Sequence, residues 1–188
     1  MTVESRNSKR EGAVEKKRER RIISQGKHLR FVDRGGWEYV ERVRTSGIVV
    51  LVATTEADEM LFVEQYRPAV DARVIELPAG LVGDEPGAEE EDMEDAARRE
   101  LLEETGYEAG ELEYLTEGSI SSGLSAEVIT LYLARGVRKV ASGGGDESED
   151  ITSYAVALVE VEAWLRERKR EGAMIDTKVW TGLYFAKR

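Results

Sequence analysis

The chain has 188 residues, with 27 Lys and Arg against 38 Asp and Glu, one histidine and no cysteine. This length suits one globular domain with an appendage, and 41% hydrophobic residues are enough to bury a core. The lack of cysteine excludes disulfides, thiol nucleophiles, iron–sulfur clusters and thiolate zinc sites. Because His28 is the only histidine, a histidine-rich centre is excluded, and any metal would be a hard cation bound by oxygen atoms.

The charge is divided unevenly along the chain. Residues 1–44 carry a net charge of +6 and residues 45–188 one of −17, for a total of −11. Such an acidic body disfavours non-specific binding to nucleic acid, which depends on neutralising phosphates. The longest uncharged apolar stretch, 45–55, is too short for a membrane helix of about 20 residues, and no signal-peptide core precedes it. We therefore expect a cytoplasmic protein with neither nucleic-acid nor membrane partners.

The first 45 residues divide into a tail and an extended region. Residues 1–20 contain almost no apolar side chains and are predicted to form a mobile charged tail. Residues 21–45 are predicted to form a small β-subdomain, in which the pair Gly35-Gly36 makes a hairpin turn. Alternation along the second hairpin strand places Trp37, Tyr39 and Glu41 on one face.

The remaining residues, 46–188, mix strands with helices. Residues 47–53 form an uninterrupted, largely β-branched run that is typical of a central strand buried on both faces. An amphipathic helix follows the acidic residues 84–95, and Gly106 suits its C-terminal end. Other predicted strands cover 60–65, 74–77, 112–117, 128–134 and 154–159, and two helical segments close the chain. This mixture indicates an α/β or α+β sandwich, with Trp164, Trp180 and Tyr184 expected in its core.

Three glutamates of the predicted helix share one face. Glu100, Glu103 and Glu104 are spaced i, i+3, i+4, so their mutual repulsion disfavours this face unless a cation occupies it. Arg99 can brace Glu103 from the flank. Three carboxylates without His or Cys describe a magnesium or manganese site. The alternative is a solvated acidic face that binds no ligand.

The segment around these glutamates resembles the Nudix box, G-x5-E-x7-R-E-U-x-E-E-x-G-U, in which U is a bulky apolar residue. The box glycine falls on position 85, which is a glutamate here, and Gly80 resembles that glycine displaced by five extra residues in the acidic loop. The final apolar position is occupied by Tyr107. The matching positions run without a gap through Glu91, Arg99, Glu100, Leu101, Glu103, Glu104 and Gly106.

Most of residues 21–188 are similar to the ADP-ribose pyrophosphatase branch of this family. The resemblance is carried by three segments, 63–67 (VEQYR), 76–80 (ELPAG) and 121–127 (SSGLSAE). In this branch the first three residues of the last segment are usually Ser-Pro-Gly. Ser122 stands here at the proline that is often used to tell ADP-ribose enzymes apart. Residues 146–150 (DESED) resemble the late acidic loop of the branch, and the preceding glycines, 143–145, would let that loop close over substrate.

The resemblance implies the Nudix fold, a mixed β-sheet sandwiched between helices as α/β/α, with the hydrolase domain over 46–188. It implies Mg²⁺-dependent hydrolysis, with Mn²⁺ as a substitute, of the pyrophosphate bond of a nucleoside diphosphate sugar. The first substrate to consider is ADP-ribose, which would give AMP and ribose 5-phosphate. The implied metal ligands are the backbone carbonyl of Ala79 and the side chains of Glu100, Glu103 and Glu104. The implied catalytic residues are Glu103 and Arg99 together with Glu147, which would orient or deprotonate the attacking water. Glu149 is the alternative candidate for this base.

The same resemblance implies how the base is bound. Trp37 would stack on adenine while Glu38 accepts a hydrogen bond from an exocyclic amine, and Arg42 is a further candidate for this pocket. A core position in the hairpin is the alternative role for Trp37. In related enzymes the N-terminal sheet crosses to the other subunit, so the 21–45 subdomain is expected to serve dimerisation as well, in a homodimer.

Two further residues are assigned to substrate binding. Arg67 would meet a phosphate with its planar guanidinium, and an ion pair with Glu64 is its alternative role. Glu127, which ends the 121–127 segment, is the second.

Other functions stay open on the sequence alone. The base pocket does not distinguish ADP-ribose from GDP-mannose or UDP-glucose, and a non-catalytic nucleotide-sugar sensor is a separate class. The intact carboxylates of the helix argue for activity over sensing. An acidic metal buffer is a third class, and it would need neither Arg67 nor Trp37.

Overall fold

In a computed structural model of the chain, residues 19–83, 87–145 and 150–188 are described, and they form two units. The first unit consists of the described residues up to Val43 together with Ser121–Ala126, and the second of those in Arg44–Ile120 and Glu127–Arg188. Most of the predicted tail, residues 1–18, lies outside the described residues. Arg20 already belongs to the first strand.

The first unit contains a three-stranded antiparallel sheet in the order β1-β2-β3. Gly35 and Gly36 connect β2 to β3 with positive φ angles of 61° and 88°, which residues with a side chain rarely adopt. The turn sets a register in which Arg34 faces Trp37. The predicted hairpin and small antiparallel sheet are therefore confirmed. The strands are β1 (Arg20–Gln25), β2 (Leu29–Arg34) and β3 (Trp37–Arg42).

The second unit is built on a mixed sheet of nine strands. Its main path runs β12-β6-β5-β4-β10-β8, while β11 pairs with β5, β7 with β4, and β9 with β10. The predicted central strand is β4, which pairs in parallel with β10 and is buried along most of its length. The bounds are β4 (Gly47–Thr55), β5 (Glu59–Arg67), β6 (Ala72–Glu76), β7 (Ala79–Val82), β8 (Tyr107–Glu108), β9 (Leu112–Ser119), β10 (Val128–Lys139), β11 (Thr152–Ala157) and β12 (Met174–Ile175).

Helices cover both faces of this sheet, namely α1 (Met93–Thr105), α2 (Val161–Arg170) and α3 (Lys178–Ala186). Alternate residues of β4 enter different cores. Val50 and Val52 pack in the cluster that contains buried residues of α2 and α3. Val49 and Leu51 pack in the cluster that contains buried residues of α1. The sheet thus lies between helical layers, and the predicted α/β/α sandwich is confirmed.

Two of the C-terminal aromatic residues are not in the core. Trp164 packs there against the rings of Phe62 and Tyr154, as predicted, but Trp180 and Tyr184 are 48% and 54% exposed. The prediction for these two was wrong because other residues at helical spacing form the inner face of α3. Those residues are Val179, Leu183 and Ala186.

None of the helices in the described ranges is long and apolar enough to cross a membrane.

Candidate active site

Helix α1 begins and ends where the sequence indicates. The Asp92 side chain accepts a hydrogen bond from the Glu94 amide at 2.8 Å and caps the first turn. Gly106 ends the helix in the left-handed region, with a φ of 73°. Between these ends, Ala96, Ala97 and Leu101 are buried against the sheet. Of the box glutamates, Glu104 is buried on the same side of the helix, Glu100 is half-buried and Glu103 is exposed.

Two of these glutamates lie against the start of β7. A Cβ added to Gly80 would fall 1.8 Å from Cδ of Glu100, so a side chain at this position would displace that carboxylate. The Glu104 carboxylate accepts a hydrogen bond from the Ala79 amide at 3.0 Å and is 4% exposed. Gly80 therefore stands beside the box carboxylates, where a displaced box glycine would be expected. Position 85 lies outside the described residues.

Arg99 holds the acidic groups of the box together. Its Nε and Nη2 donate to the two carboxylate oxygens of Glu91 at 2.9 and 3.0 Å. Its Nη1 lies 2.9 Å from Glu100 Oε1 and 3.2 Å from Glu103 Oε2, and Nη2 also donates to the Leu81 carbonyl at 3.1 Å. One guanidinium thus links the residues before the helix, two glutamates of the helix and β7.

The electrostatics of this cluster keep its groups charged. The hydrogen bond from Arg99 lowers the pKa of Glu91 below its usual value, against the opposing effect of burial. The hydrogen bond to Glu91 and the field of Glu100 raise the pKa of Arg99, although burial alone would lower it. Glu91 is therefore an anion and Arg99 a cation at neutral pH. Their bidentate ion pair holds both side chains in place.

The residues present fit a hard divalent cation. Within the described ranges, no three acidic or histidine side chains converge closely enough to form a ready-made metal cluster. Glu100 and Glu103 share Arg99 instead. One guanidinium carries a single positive charge, whereas the three carboxylates it contacts carry three negative ones. Carboxylate oxygens in excess over cations, with Glu103 at 47% exposure, suit Mg²⁺ or Mn²⁺.

The three other predicted residues of this unit have different placements. Arg67 ends β5 and pairs through Nε with Glu76 at 2.7 Å, rather than with Glu64. Glu127 lies half-buried directly before β10. Glu147, the predicted catalytic residue of the acidic loop, lies outside the described residues, as does Glu149.

Glu64, the alternative partner predicted for Arg67, belongs to a separate buried network. It is 4% exposed, and it accepts hydrogen bonds from Tyr154 at 2.8 Å, Arg168 at 2.6 Å and Arg73 at 3.1 Å. Burial alone would raise the pKa of Glu64, but these donors lower it. Arg73 also pairs with Asp150 at 3.0 Å, so the network reaches the last residue of the acidic loop.

A second candidate site is a cavity of about 350 Å³ within the first unit. It is lined by Arg34, Trp37, Tyr39, Glu41, Ser122, Ser125 and Ala126. Trp37 is 56% exposed, which argues against the alternative that it is a core residue of the hairpin. The predicted grouping of Trp37, Tyr39 and Glu41 on one face of β3 is what the cavity wall shows.

Glu38 and Arg42 do not line this cavity. Successive side chains of a strand point to opposite faces, so both lie on the face of β3 away from Trp37. The structure therefore does not bring Glu38 and Arg42 together with Trp37 in one pocket of this unit. Adjacency in a motif suggested a shared site, but the pleat separates the neighbours.

Several cavity residues were missed by sequence reasoning. Arg34 reaches the wall because the two-glycine turn pairs it directly with Trp37, and its guanidinium lies 5.9 Å from the Tyr39 ring centre. The hairpin register predicted that pairing and could have identified it. Ser122 and Ser125 come from a distant part of the chain that joins β3 through hydrogen bonds between Val40 and the segment 124–126. No pattern in the sequence indicates that pairing.

Comparisons with known proteins agree with this architecture. The chain is 37% identical over 130 residues to the methanol dehydrogenase activator of Bacillus methanolicus, covering 69% of this chain and 68% of that protein. It is 35% identical over 96 residues to the ADP-ribose pyrophosphatase of Bacillus subtilis (strain 168), covering 50% of this chain and 48% of that protein. The GDP-mannose pyrophosphatase of Citrobacter koseri is 32% identical over 132 residues, covering 65% of each.

The chain therefore spans between 48% and 68% of the length of these three relatives. A crystal structure described as an ADP compounds hydrolase superposes with a TM-score of 0.66 over 90% of both chains. At 19% identity, this likeness bears on the fold alone. The family model of the NUDIX domain matches residues 43–174, well over half of the chain. Together with the box residues gathered on α1, this match establishes that the chain is an enzyme of the Nudix hydrolase family.

Proposed function

We propose that the protein hydrolyses the pyrophosphate bond of a nucleoside diphosphate sugar, with ADP-ribose as the first substrate and AMP and ribose 5-phosphate as products. The observation that carries this proposal is the arrangement of three glutamates of α1 around Arg99 and the Ala79-Gly80 backbone. Relatives named as ADP-ribose and GDP-mannose pyrophosphatases support cleavage of a nucleotide-sugar pyrophosphate.

Glu100, Glu103 and Glu104 are proposed as the ligands of Mg²⁺, or of Mn²⁺ in its place, helped by the Ala79 carbonyl. When bound, the cation would neutralise the pyrophosphate charge and activate the attacking water. Arg99, fixed by Glu91, would orient the ligand carboxylates and is also counted with Glu103 among the catalytic residues. Glu147, although outside the described residues, keeps its proposed role of orienting or deprotonating the water.

Arg67 and Glu127 are proposed to bind the substrate within the second unit. The Arg67 side chain is 45% exposed and its guanidinium is held at Nε by Glu76, so the planar group is oriented before a phosphate arrives. Glu127 is assigned from the resemblance of 121–127 alone.

The base is proposed to bind in the cavity of the first unit by stacking on Trp37. Exposed, and grouped with Tyr39 and Arg34, the indole offers a flat apolar surface with polar groups at its edge. Ser122 in the wall puts a hydroxyl where the ADP-ribose branch usually has proline. GDP-mannose and UDP-glucose therefore remain alternative substrates. Glu38 and Arg42, on the opposite face of β3, are retained as weaker candidates for base binding.

The remaining proposals concern the setting of the enzyme. The 21–45 region is proposed to serve dimerisation as well as base binding, in a homodimer that acts in the cytoplasm. Exposed apolar residues on its strands, among them Ile22, Ile23 and Leu29, support an association surface.

A substrate panel tests the proposal. ADP-ribose, GDP-mannose, UDP-glucose, NADH and diadenosine polyphosphates are incubated with the protein in Mg²⁺ and in excess chelator, and nucleotide products are separated by chromatography. We expect Mg²⁺-dependent release of AMP, fastest from ADP-ribose. Activity confined to GDP-mannose or UDP-glucose would support hydrolysis of a nucleotide-sugar pyrophosphate but refute ADP-ribose as the substrate. Tight nucleotide binding without turnover of any compound would instead identify a sensor.

A further inference from the structure

The C-terminal end of helix α1 carries an unfavourable concentration of negative charge. The C-terminal end of a helix carries partial negative charge, which favours basic side chains in the last turn. The last turn of α1 has no basic residue, and it contains Glu103 and Glu104. The two carboxylates that are proposed to bind a cation therefore stand where the helix itself repels them.

A lysine from another element compensates for this charge. Lys139, the last residue of β10, donates from Nζ to the Thr105 carbonyl at 2.6 Å and to the Ser142 carbonyl at 3.0 Å. The same ammonium lies 4.9 Å from the centre of the Tyr107 ring. Lys139 thus places the positive charge that the helix lacks directly on one of its terminal carbonyls.

The backbone after Lys139 bonds the neighbouring carbonyls of the helix. The amides of Gly144 and Gly145 donate to the Glu104 and Glu103 carbonyls at 2.9 and 3.0 Å. The amides of 140 and 141 both donate to the Gly106 carbonyl, at 2.9 and 3.0 Å. Carbonyls that every helix leaves unbonded at its C-terminus are here satisfied by one segment, residues 139–145.

The segment 139–145 packs closely against the end of the helix. A Cβ on Gly143 would lie 2.4 Å from the Thr105 carbonyl carbon, and one on Gly106 would lie 2.2 Å from the Ala141 oxygen. Both glycines have a φ of 73°, so a side chain would be strained there in any case. Gly106 and Gly143 therefore allow close contact between two backbones. Closure of the acidic loop over substrate stays a prediction.

We propose that Lys139 is a positioning residue that, with the backbone of 143–145, fixes the last turn of α1 and so holds Glu103 and Glu104 for the divalent cation. This inference rests on the proposed function of α1 as the metal-binding helix. Residues that orient metal ligands from outside the coordination sphere typically change metal affinity by about 10- to 100-fold when removed.

The direction in which cation affinity changes when Lys139 is removed distinguishes a positioning role from a purely electrostatic one. Removing a nearby ammonium would strengthen cation binding if Lys139 acted only through its field, because like charges repel. Removing a group that holds the ligand turn in place would weaken binding. A purely structural lysine would lower the thermal midpoint and leave cation affinity unchanged.

The experiment measures Mn²⁺ binding without turnover, from the electron paramagnetic resonance signal of the free ion, in Lys139→Met, Lys139→Arg and the wild type. Lys187→Met is the matched control, because Lys187 forms an exposed ion pair with Glu162 at 2.8 Å and makes no contact with α1 among the bonds described for it. We expect Lys139→Met to weaken binding at least about tenfold, Lys139→Arg to restore most of it, and the control to match the wild type. Equal or tighter binding by Lys139→Met would overturn the proposal.

A second measurement does not depend on the variants folding. Amide hydrogen exchange of the wild type should show Gly144 and Gly145 protected to a degree similar to the last turn of α1. Exchange of these amides at the rate of an open loop would overturn the clamp. A wild type that binds Mn²⁺ but cleaves no nucleotide sugar would refute the proposed substrate and leave this test intact. A wild type that binds no Mn²⁺ would refute both the metal site and the role of Lys139.

Discussion

The acidic face of α1 and the cavity of the first unit differ in how firmly their side chains are held. Glu104 is 4% exposed, and Arg99 makes hydrogen bonds to three carboxylates and one carbonyl. Trp37, the centre of the cavity, is 56% exposed. Charges that must meet a phosphoanhydride need fixed positions, because a misplaced charge loses most of its effect in the transition state. Stacking on a flat base tolerates more freedom, since every base offers a π face.

Among the variants that compare the two regions, the largest combined loss of activity and stability is expected when Arg99 is removed from the acidic face of α1. In Arg99→Met, the Glu91 side chain, which is 13% exposed, loses both hydrogen bonds from Arg99 and keeps the one from the Gly83 amide. Glu100 and Glu103 lose the cation they share. We expect kcat/KM to fall at least about 100-fold and the free energy of unfolding to fall by about 3 kcal/mol. Steady-state kinetics and urea unfolding measure the two effects.

Arg170→Met is the control for that variant, because Arg170 pairs with Glu167 on an exposed face of α2. It should leave both quantities nearly unchanged. If Arg99→Met lost no more activity than this control, Arg99 would have no part in orienting the carboxylates.

A smaller change in the same region is Gly80→Ala. The added methyl group would fall 1.8 Å from Glu100 Cδ, so the carboxylate must move. We expect the Mg²⁺ concentration for half-maximal activity to rise about tenfold while the fold persists. Gly118→Ala in β9 is the matched control, because a Cβ there meets nothing within 4 Å. The same Mg²⁺ requirement in both variants would remove Glu100 from the proposed ligands.

Substitutions in the cavity of the first unit should change substrate binding more than the rate of the chemical step. Trp37→Ala removes a stacking surface worth about 1–3 kcal/mol, so KM should rise about 5- to 150-fold with a much smaller change in kcat. Trp180→Ala removes an indole of similar exposure from α3 and should change neither constant. A large loss of kcat at unchanged KM would contradict base stacking by Trp37.

The smallest expected effect concerns acid stability and leaves both sites aside. The donors around Glu64 lower its pKa in the folded state, so the unfolded chain binds its proton more readily. The stabilising contribution is therefore complete above the unfolded pKa, about 4.3, and is lost as pH falls through the folded pKa. Thermal midpoints measured from pH 7 to pH 3 should fall below pH 5 and fall less in Glu64→Gln. Parallel pH curves for the two proteins would exclude this source of acid sensitivity.

The two regions also differ in what the sequence could predict. Glu100, Glu103 and Glu104 lie within one helix, so their spacing alone placed the three carboxylates near one another with Arg99 beside them. Burial of β4 followed from its β-branched run, and the hairpin from Gly35-Gly36. These features depend on local geometry, which the periodicity of the sequence predicts directly.

Features that combine distant segments were out of reach. Ser122 and Ser125 join the cavity only because 121–126 pairs with β3, and Lys139 contacts α1 across 34 positions of sequence. Glu38 was grouped with its neighbour Trp37, although the pleat of the strand turns it to the other face. Trp180 and Tyr184 were assigned to the core because their spacing is helical, and the pattern alone did not say which helical face is buried.

The central claim is that the carboxylates of α1 bind the divalent cation that hydrolysis requires, and Glu104→Gln tests it most directly. Glutamine keeps the volume and an oxygen that can accept the hydrogen bond from the Ala79 amide, but not the charge. AMP release from ADP-ribose in Mg²⁺ is compared with Glu167→Gln, an exposed glutamate of α2, after both show the wild-type circular dichroism spectrum. We expect Glu104→Gln to abolish release and Glu167→Gln to retain it. Release by Glu104→Gln at a rate near that of the wild type would contradict the metal site.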